Sequence, residues 1–422
     1  MFRLVFFLII VFSGLFLPAL SVYAAAVSSN LYAEAEQSIY QIQVVNRKTS
    51  NKSTIGSGFL IEREDILATN YHVVSDYVND PGNFRLEYLS TSGETGELEL
   101  LGVDVLHDLA VLKAGIGLGK PLETDTVPEK GAALYSLGNP LDLGFSIVVG
   151  INNGILSNSE ENNIHFSGSL NAGMSGGPSL NEAGKVIGIN VATAGDDVSF
   201  LVSAQYLDIL LERIKLRSFK PSDDFRNDIT NQLRTKSVEM LGGLLDNEWE
   251  GVVIGRYIVP AEMGDSVTCW DGSDEPEERG LVEVTAANCS NELRIYLNKK
   301  LSVGSVQYQY AWYETEKMIP PRFYRNYELN NNAGMRVRSD DQSVTSFDCK
   351  THFVDVSSKD FKMTVCRRDY RQYKGLSDVL VTGAMVGDQK RGMLFDLYLS
   401  GSDFASAIRL LERMLGSFKW HK

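Results

Sequence analysis

Gly173-Met174-Ser175-Gly176-Gly177-Pro178 is the stretch that decides how this chain is read. A serine set among glycines implies a tight turn with backbone conformations that side chains resist. Such a turn also lifts a hydroxyl into solvent and lets main-chain N–H groups converge on one point. The N–H groups of Gly173 and Ser175 are the candidate donors for an oxyanion there. A serine hydroxyl is a weak nucleophile at its own pKa. It needs an imidazole to take its proton and a carboxylate to hold that imidazole in the right tautomer. Two segments upstream supply both. Ala68-Thr69-Asn70-Tyr71-His72-Val73-Val74 offers His72 as the base, and His107-Asp108-Leu109-Ala110-Val111-Leu112-Lys113 offers Asp108 as the orienting acid.

Each segment alone is a weak signal; their order makes them specific. Gly173-x-Ser175-x-Gly177 also satisfies the G-x-S-x-G elbow of the α/β-hydrolases, but that elbow needs acid and histidine after the serine and a helix behind it. Here only His352 and His421 follow, and Pro178 leads into a strand-like run, Val186–Ala192. The order His72, Asp108, Ser175 is that of the chymotrypsin arrangement. Around the three segments lie many short apolar runs with Gly, Asn or Pro between them, among them Ile39–Val45, Ile66–Thr69, Leu98–Val105, Ser146–Leu156 and Ser199–Ser203. Short strands at this density predict an all-β sandwich or barrel. A helix is expected at about 25–40, and Leu207, Leu210, Leu211 and Ile214 give helical spacing over Ala204–Leu216.

Residues about 35–216 resemble the trypsin-like serine proteases of the HtrA/Deg kind. The resemblance rests on Thr69–Val74, on Asp108–Lys113, on Leu137-Gly138-Asn139-Pro140 and on Gly154-Ile155-Leu156-Ser157. It rests also on Leu170–Pro178 and on Gly184–Asn190. It implies a chymotrypsin-like pair of six-stranded β-barrels with the triad in the cleft between them. It further implies cleavage of unfolded or misfolded exported proteins through an acyl-enzyme on Ser175. Met174 stands where that family usually has Asn, Ala172 where it often has Pro, and Ser203 replaces a frequent Pro. No PDZ-like segment is evident after residue 216, so the resemblance gives no ground to expect that family's peptide-triggered activation or cage assembly.

For specificity, the position six before the nucleophile, which trypsin-type enzymes fill with Asp, is Ser169, and the expected pocket wall is Phe200-Leu201-Val202. A neutral floor and an apolar wall predict cleavage after small or medium aliphatic residues. The chain also lacks the I-V-G-G start of zymogens switched on by cleavage, so no such activation is expected.

The rest of the 422 residues bounds the answer. At roughly 100–200 residues per domain the length suggests two or three domains. Forty basic against 54 acidic residues give a net charge of −14, which argues against a nucleic-acid partner. Met1–Arg3, the apolar run Leu4–Leu20 and Val22-Tyr23-Ala24 form a secretory signal pattern, or alternatively an uncleaved anchor. No other apolar run is long enough to span a membrane, so a periplasmic or secreted protein is expected. The divisions read as 1–24 leader, 25–216 protease-like part, 217–245 helical connector with Ser222 or Asp223 as N-cap, and 246–422 a β-rich (α+β) domain. The overall class is mostly β.

All four cysteines lie in that last part. In an exported chain they suggest disulfides, most simply Cys269–Cys289 and Cys349–Cys366, and their spacing does not suit zinc. No metal or cofactor is expected. His107 is read as a packing or surface residue and His165 as structural or else lining the cleft near the serine segment; His352 and His421 have no supporting motif. The acidic run Asp271–Glu278 reads as a solvated loop rather than a Ca²⁺ site, since its spacing does not fit the EF-hand loop, and the Tyr/Phe-rich run 306–328 as core rather than a peptide-binding face. The partners are protein or peptide substrates. The rival to an endopeptidase is a binding or chaperone protein on a protease-like scaffold.

Overall fold

The computed structural model describes residues 30–139, 144–155, 162–193, 199–274, 280–291, 293–332, 335, 337 and 342–421. The leader 1–24, Pro140 and part of the acidic run lie outside them. The chain divides into two compact units. One holds the trypsin-like part and ends at Pro221. The other starts at Ser222 and includes the turn Val103–Asp108.

The first unit is two closed antiparallel barrels. Strands β1 (Ile39–Asn46), β2 (Lys52–Leu60), β3 (Ile66–Asn70), β4 (Phe84–Leu89), β5 (Thr95–Asp104) and β6 (Leu109–Ala114) close in the order β1-β2-β3-β6-β5-β4. Strands β7 (Ala133–Gly138), β8 (Ser146–Ile155), β9 (Ile164–Phe166), β10 (Pro178–Leu180), β11 (Val186–Thr193) and β12 (Ser199–Ser203) close in the order β10-β11-β12-β9-β8-β7. Closure leaves no free sheet edge in either barrel. A short helix, α1, covers 30–35, inside the helix expected at 25–40. Helix α2 (Tyr71–Asn79) follows β3 directly, and α3 (Ala204–Leu216) follows β12. The periodic Leu207, Leu210, Leu211 and Ile214 of α3 are all buried. They pack with Phe59, Leu101 and Val111 of one barrel and Tyr135, Leu137 and Ile189 of the other, so one core ties the two barrels together.

The second unit opens on α4 (Phe225–Asp246), capped by Asp224, whose carboxylate accepts from the Asn227 N–H at 3.0 Å. The cap falls one residue later than expected because the Ser222 hydroxyl donates to Asp228 (2.6 Å) instead. Two short hairpin strands, β13 (Gly251–Ile254) and β14 (Tyr257–Pro260), come next. Then follow β15 (Val267–Asp271), β16 (Glu283–Asn291), the small pair β17 (Ile295–Asn298) and β18 (Leu301–Val303), and β19 (Val306–Glu314). Helix α5 (Pro320–Asn332), β20 (Asp348–Asp355), β21 (Asp360–Asp369), β22 (Leu376–Met385) and β23 (Arg391–Asp403) lead to α6 (Phe404–Ser417) and β24 (Lys419–Trp420). Seven of these strands form one open sheet, β15-β16-β19-β23-β22-β21-β20.

The alternation along β19 buries Tyr308, Tyr310 and Trp312 with Phe395 and Leu397 of β23, and Leu241, Leu410 and Met414 of α4 and α6 join that cluster. Phe323 and Tyr327 of α5 pack with Leu394, whose side chain alternates to the other face. The two disulfides, Cys269–Cys289 and Cys349–Cys366, join residues directly opposite each other in the strand pairs at the two edges of this sheet. Among the described residues no helix is long and apolar enough to cross a membrane.

Candidate active site

The serine turn is built on its glycines. Gly173 (φ +96°) and Gly176 (φ +85°) both occupy the left-handed region. A Cβ on Gly176 would sit 2.2 Å from the Ser57 carbonyl oxygen and 2.3 Å from Thr69 Oγ1, and one on Gly177 would sit 2.1 Å from the Leu137 carbonyl. Any side chain there would push the turn off the barrels. Met174 points the other way. It is fully buried among Leu134, Ile164, Phe166, Leu170, Ile187 and Leu201 in the second barrel's core. A thioether side chain thus anchors the turn by packing where the resembled family places a polar Asn.

Hydrogen bonds account for most of the turn's backbone. The Ser57 N–H donates to the Ser175 carbonyl (2.7 Å) and the Ser57 hydroxyl donates to the Gly173 carbonyl (2.7 Å). Asn190, fully buried, donates through Nδ2 to the carbonyls of Leu137 (3.0 Å) and Met174 (3.3 Å). Met174 N–H donates to Asn171, Gly176 N–H to Asn190 and Gly177 N–H to Met174. Among the described residues, the two N–H groups of this turn left without an acceptor are those of Gly173 and Ser175.

His72 is the second residue of α2 and is half-buried. Asn70 sits at the N-cap with extended backbone, so the chain leaves β3 and turns at once into a helix. Gly56 locates this turn against the serine. A Cβ built on it would meet Val73 at 2.5 Å and the Ser175 carbonyl at 3.1 Å. Asn70 pairs with Leu109 in the β3–β6 register, which brings the end of β3 that leads to His72 opposite the start of β6, where Asp108 stands. Asp108 is half-buried, with φ +54°. The Ser175 hydroxyl donates to the Val191 carbonyl at 2.9 Å.

Ser169 is exposed just before the turn. Of the expected pocket wall, strand alternation sends Leu201 into the second barrel's core and Val202 into the core shared with α3. Phe200 alone remains half-exposed, across from His165 in the β9–β12 register with ring centroids 6.3 Å apart. His107 is tied to Asp104, Nδ1 to Oδ2 at 3.0 Å.

Sequence reading did not find Ser57, Asn190's scaffolding role or the Val191 carbonyl. Ser57 left a trace as a polar residue between two glycines in an apolar strand. A main-chain carbonyl leaves none.

Residues 56–189 match the family model of the trypsin-like peptidase domain. Over that stretch the chain is similar to trypsin-like peptidases of the HtrA/Deg kind. It is similar to the mitochondrial serine protease HTRA2 of Drosophila persimilis, 29% identical over 238 residues, which is 50% of this chain and 54% of that protein. It is similar also to the serine endoprotease DegS of Escherichia coli K12, 31% identical over 164 residues, 35% of this chain and 44% of the relative. The chain thus spans about half the length of the curated relatives it matches. Among solved structures, the crystal structure of Deg5 aligns over 45% of this chain and 95% of its own, at 25% identity and a TM-score of 0.39.

Proposed function

We propose that this protein is an exported serine endopeptidase acting through His72, Asp108 and Ser175. His72 removes the Ser175 proton as the hydroxyl attacks the scissile carbonyl, then donates it to the leaving amine. Asp108 holds the imidazole and stabilises its protonated form. The N–H groups of Gly173 and Ser175 receive the oxyanion. The observation that carries this reading is the pairing pattern of the turn. Its other N–H groups are satisfied, and the two that the chemistry needs are open.

Exposed Ser169 and half-exposed Phe200 support a preference for small or medium aliphatic residues. The leader and the two disulfides support export into an oxidising compartment. Ser175→Ala is expected to abolish casein cleavage without changing the fold, and undiminished cleavage would refute the assignment. A library of peptides cut mainly after Lys or Arg would refute the preference.

A second reading, a binding or chaperone protein that keeps the scaffold without cutting, has one observation in its favour. The Ser175 hydroxyl donates to the Val191 carbonyl, so a side-chain rotation must precede attack.

A further inference from the structure

The turn that delivers Asp108 is gripped by a residue from well beyond the trypsin-like part. Gln232, on α4, accepts the Val105 N–H on Oε1 at 2.9 Å and donates from Nε2 to the Val103 carbonyl at 3.0 Å. One side-chain amide thus pairs with a donor and an acceptor of the same extended segment, as a neighbouring strand would, across 127 and 129 residues of sequence. Between the two gripped residues, Asp104 closes the turn. Its Oδ1 accepts from the N–H groups of Leu106 (3.1 Å) and His107 (3.3 Å).

Asp108 then takes a left-handed conformation without being glycine. A residue held that way persists only where its surroundings over-determine it. Here the surroundings are a local anchor, Asp104, and a remote one, Gln232. The remote anchor is itself fixed. Ile229 and Leu233 of α4 are buried on either side of Gln232 in sequence, and the Ser237 hydroxyl accepts from the Asp403 N–H at 3.0 Å.

We propose that Gln232 is a positioning residue for Asp108. Through it, α4 sets the turn from which the acid reaches His72, so the quality of the triad depends on chain outside the trypsin-like part. This rests on the triad reading above.

The test uses the full chain, with active sites counted by a fluorophosphonate so that unfolded protein does not enter the rates. Gln232→Leu removes both bonds. It should lower kcat by about ten- to a hundredfold with KM unchanged, the size expected when a catalytic group is displaced by around an ångström. Gln232→Glu keeps the acceptor and loses the donor, and should recover part of the loss. In an Asp108→Asn background, Gln232→Leu should change the residual rate no further. An unchanged kcat in Gln232→Leu, or the same fold-loss with and without Asp108, overturns the proposal. Full activity in Asp108→Asn alone overturns the triad reading instead.

Discussion

The two units solve the problem of a β-rich core in opposite ways. The trypsin-like unit closes its sheets into barrels that leave no free edge, and the proposed site sits on turns between strands. The C-terminal unit leaves a seven-stranded sheet open and secures each edge strand to its neighbour with a disulfide. Closed barrels need no covalent staple, and all four cysteines stand in the unit that has edges. The contrast teaches where information sits. Turn chemistry restricts residue identity, whereas a strand in a sheet asks only for a pattern of burial.

Substitutions test this contrast, and the largest effect belongs to the proposed triad. Asp108→Asn should lower kcat by about four orders of magnitude, as loss of the orienting acid does in such triads, with unfolding curves superimposable on those of the parent. Steady-state peptide hydrolysis checks the first and circular dichroism the second.

In the C-terminal unit the staples come next. Replacing Cys349 and Cys366 by Ser opens a loop of 17 residues, for which the chain-entropy account expects a loss of about 3 kcal/mol. Trp249, Trp270, Trp312 and Trp420 are the chain's four tryptophans, so their fluorescence follows this unit alone, and its melting should fall.

A smaller effect depends on pH. Asp396, on β23, is buried and takes one hydrogen bond from Gln309 Nε2 (2.5 Å). Burial pushes its carboxyl up to about 6. A raised acid favours the folded protein while it is protonated. The contribution is complete below the unfolded value near 3.8 and is lost as pH rises through about 6. Asp396→Asn should therefore stabilise the unit by at most about 3 kcal/mol at pH 7.5, and by little at pH 4. Tryptophan-monitored melting at the two pH values reads the difference.

The smallest effect returns to the serine turn. Ser57→Ala strips hydrogen bonds from the Gly173 carbonyl and the Asn139 N–H. The expected cost is about 1–2 kcal/mol of stability, together with a fall in kcat because the turn keeps only its main-chain tie to β2. Thermal inactivation and initial rates measure the two.

How legible each part was in the sequence follows from the same contrast. The barrels were readable from their short apolar runs, and the proposed triad and its glycine turn because a nucleophile, a base and oxyanion donors require particular residues in a particular order. Helix α2 was not, since Val73, Val74, Tyr77 and Val78 are β-favouring residues, yet the structure sets all four on a helix packed against β1 and β2. Helix α5 was hidden in a Tyr/Phe-rich stretch. Its start at Pro320 suits a residue that has no N–H to leave unpaired. Helix α4 runs through Gly242-Gly243 to Asp246 because Leu241 and Leu244 are buried in the core on either side, outweighing a cost of about 1 kcal/mol per glycine. Gln232 was invisible, because a lone glutamine on a helix becomes informative only when the backbone it grips is seen.

The proposed function requires Ser175 to be an activated nucleophile. Treating the intact protein with a fluorophosphonate and mapping the adduct by mass spectrometry tests it directly. A single adduct on Ser175, absent in His72→Ala, is the predicted result. An unlabelled Ser175 in folded protein, or labelling that does not need His72, would contradict it.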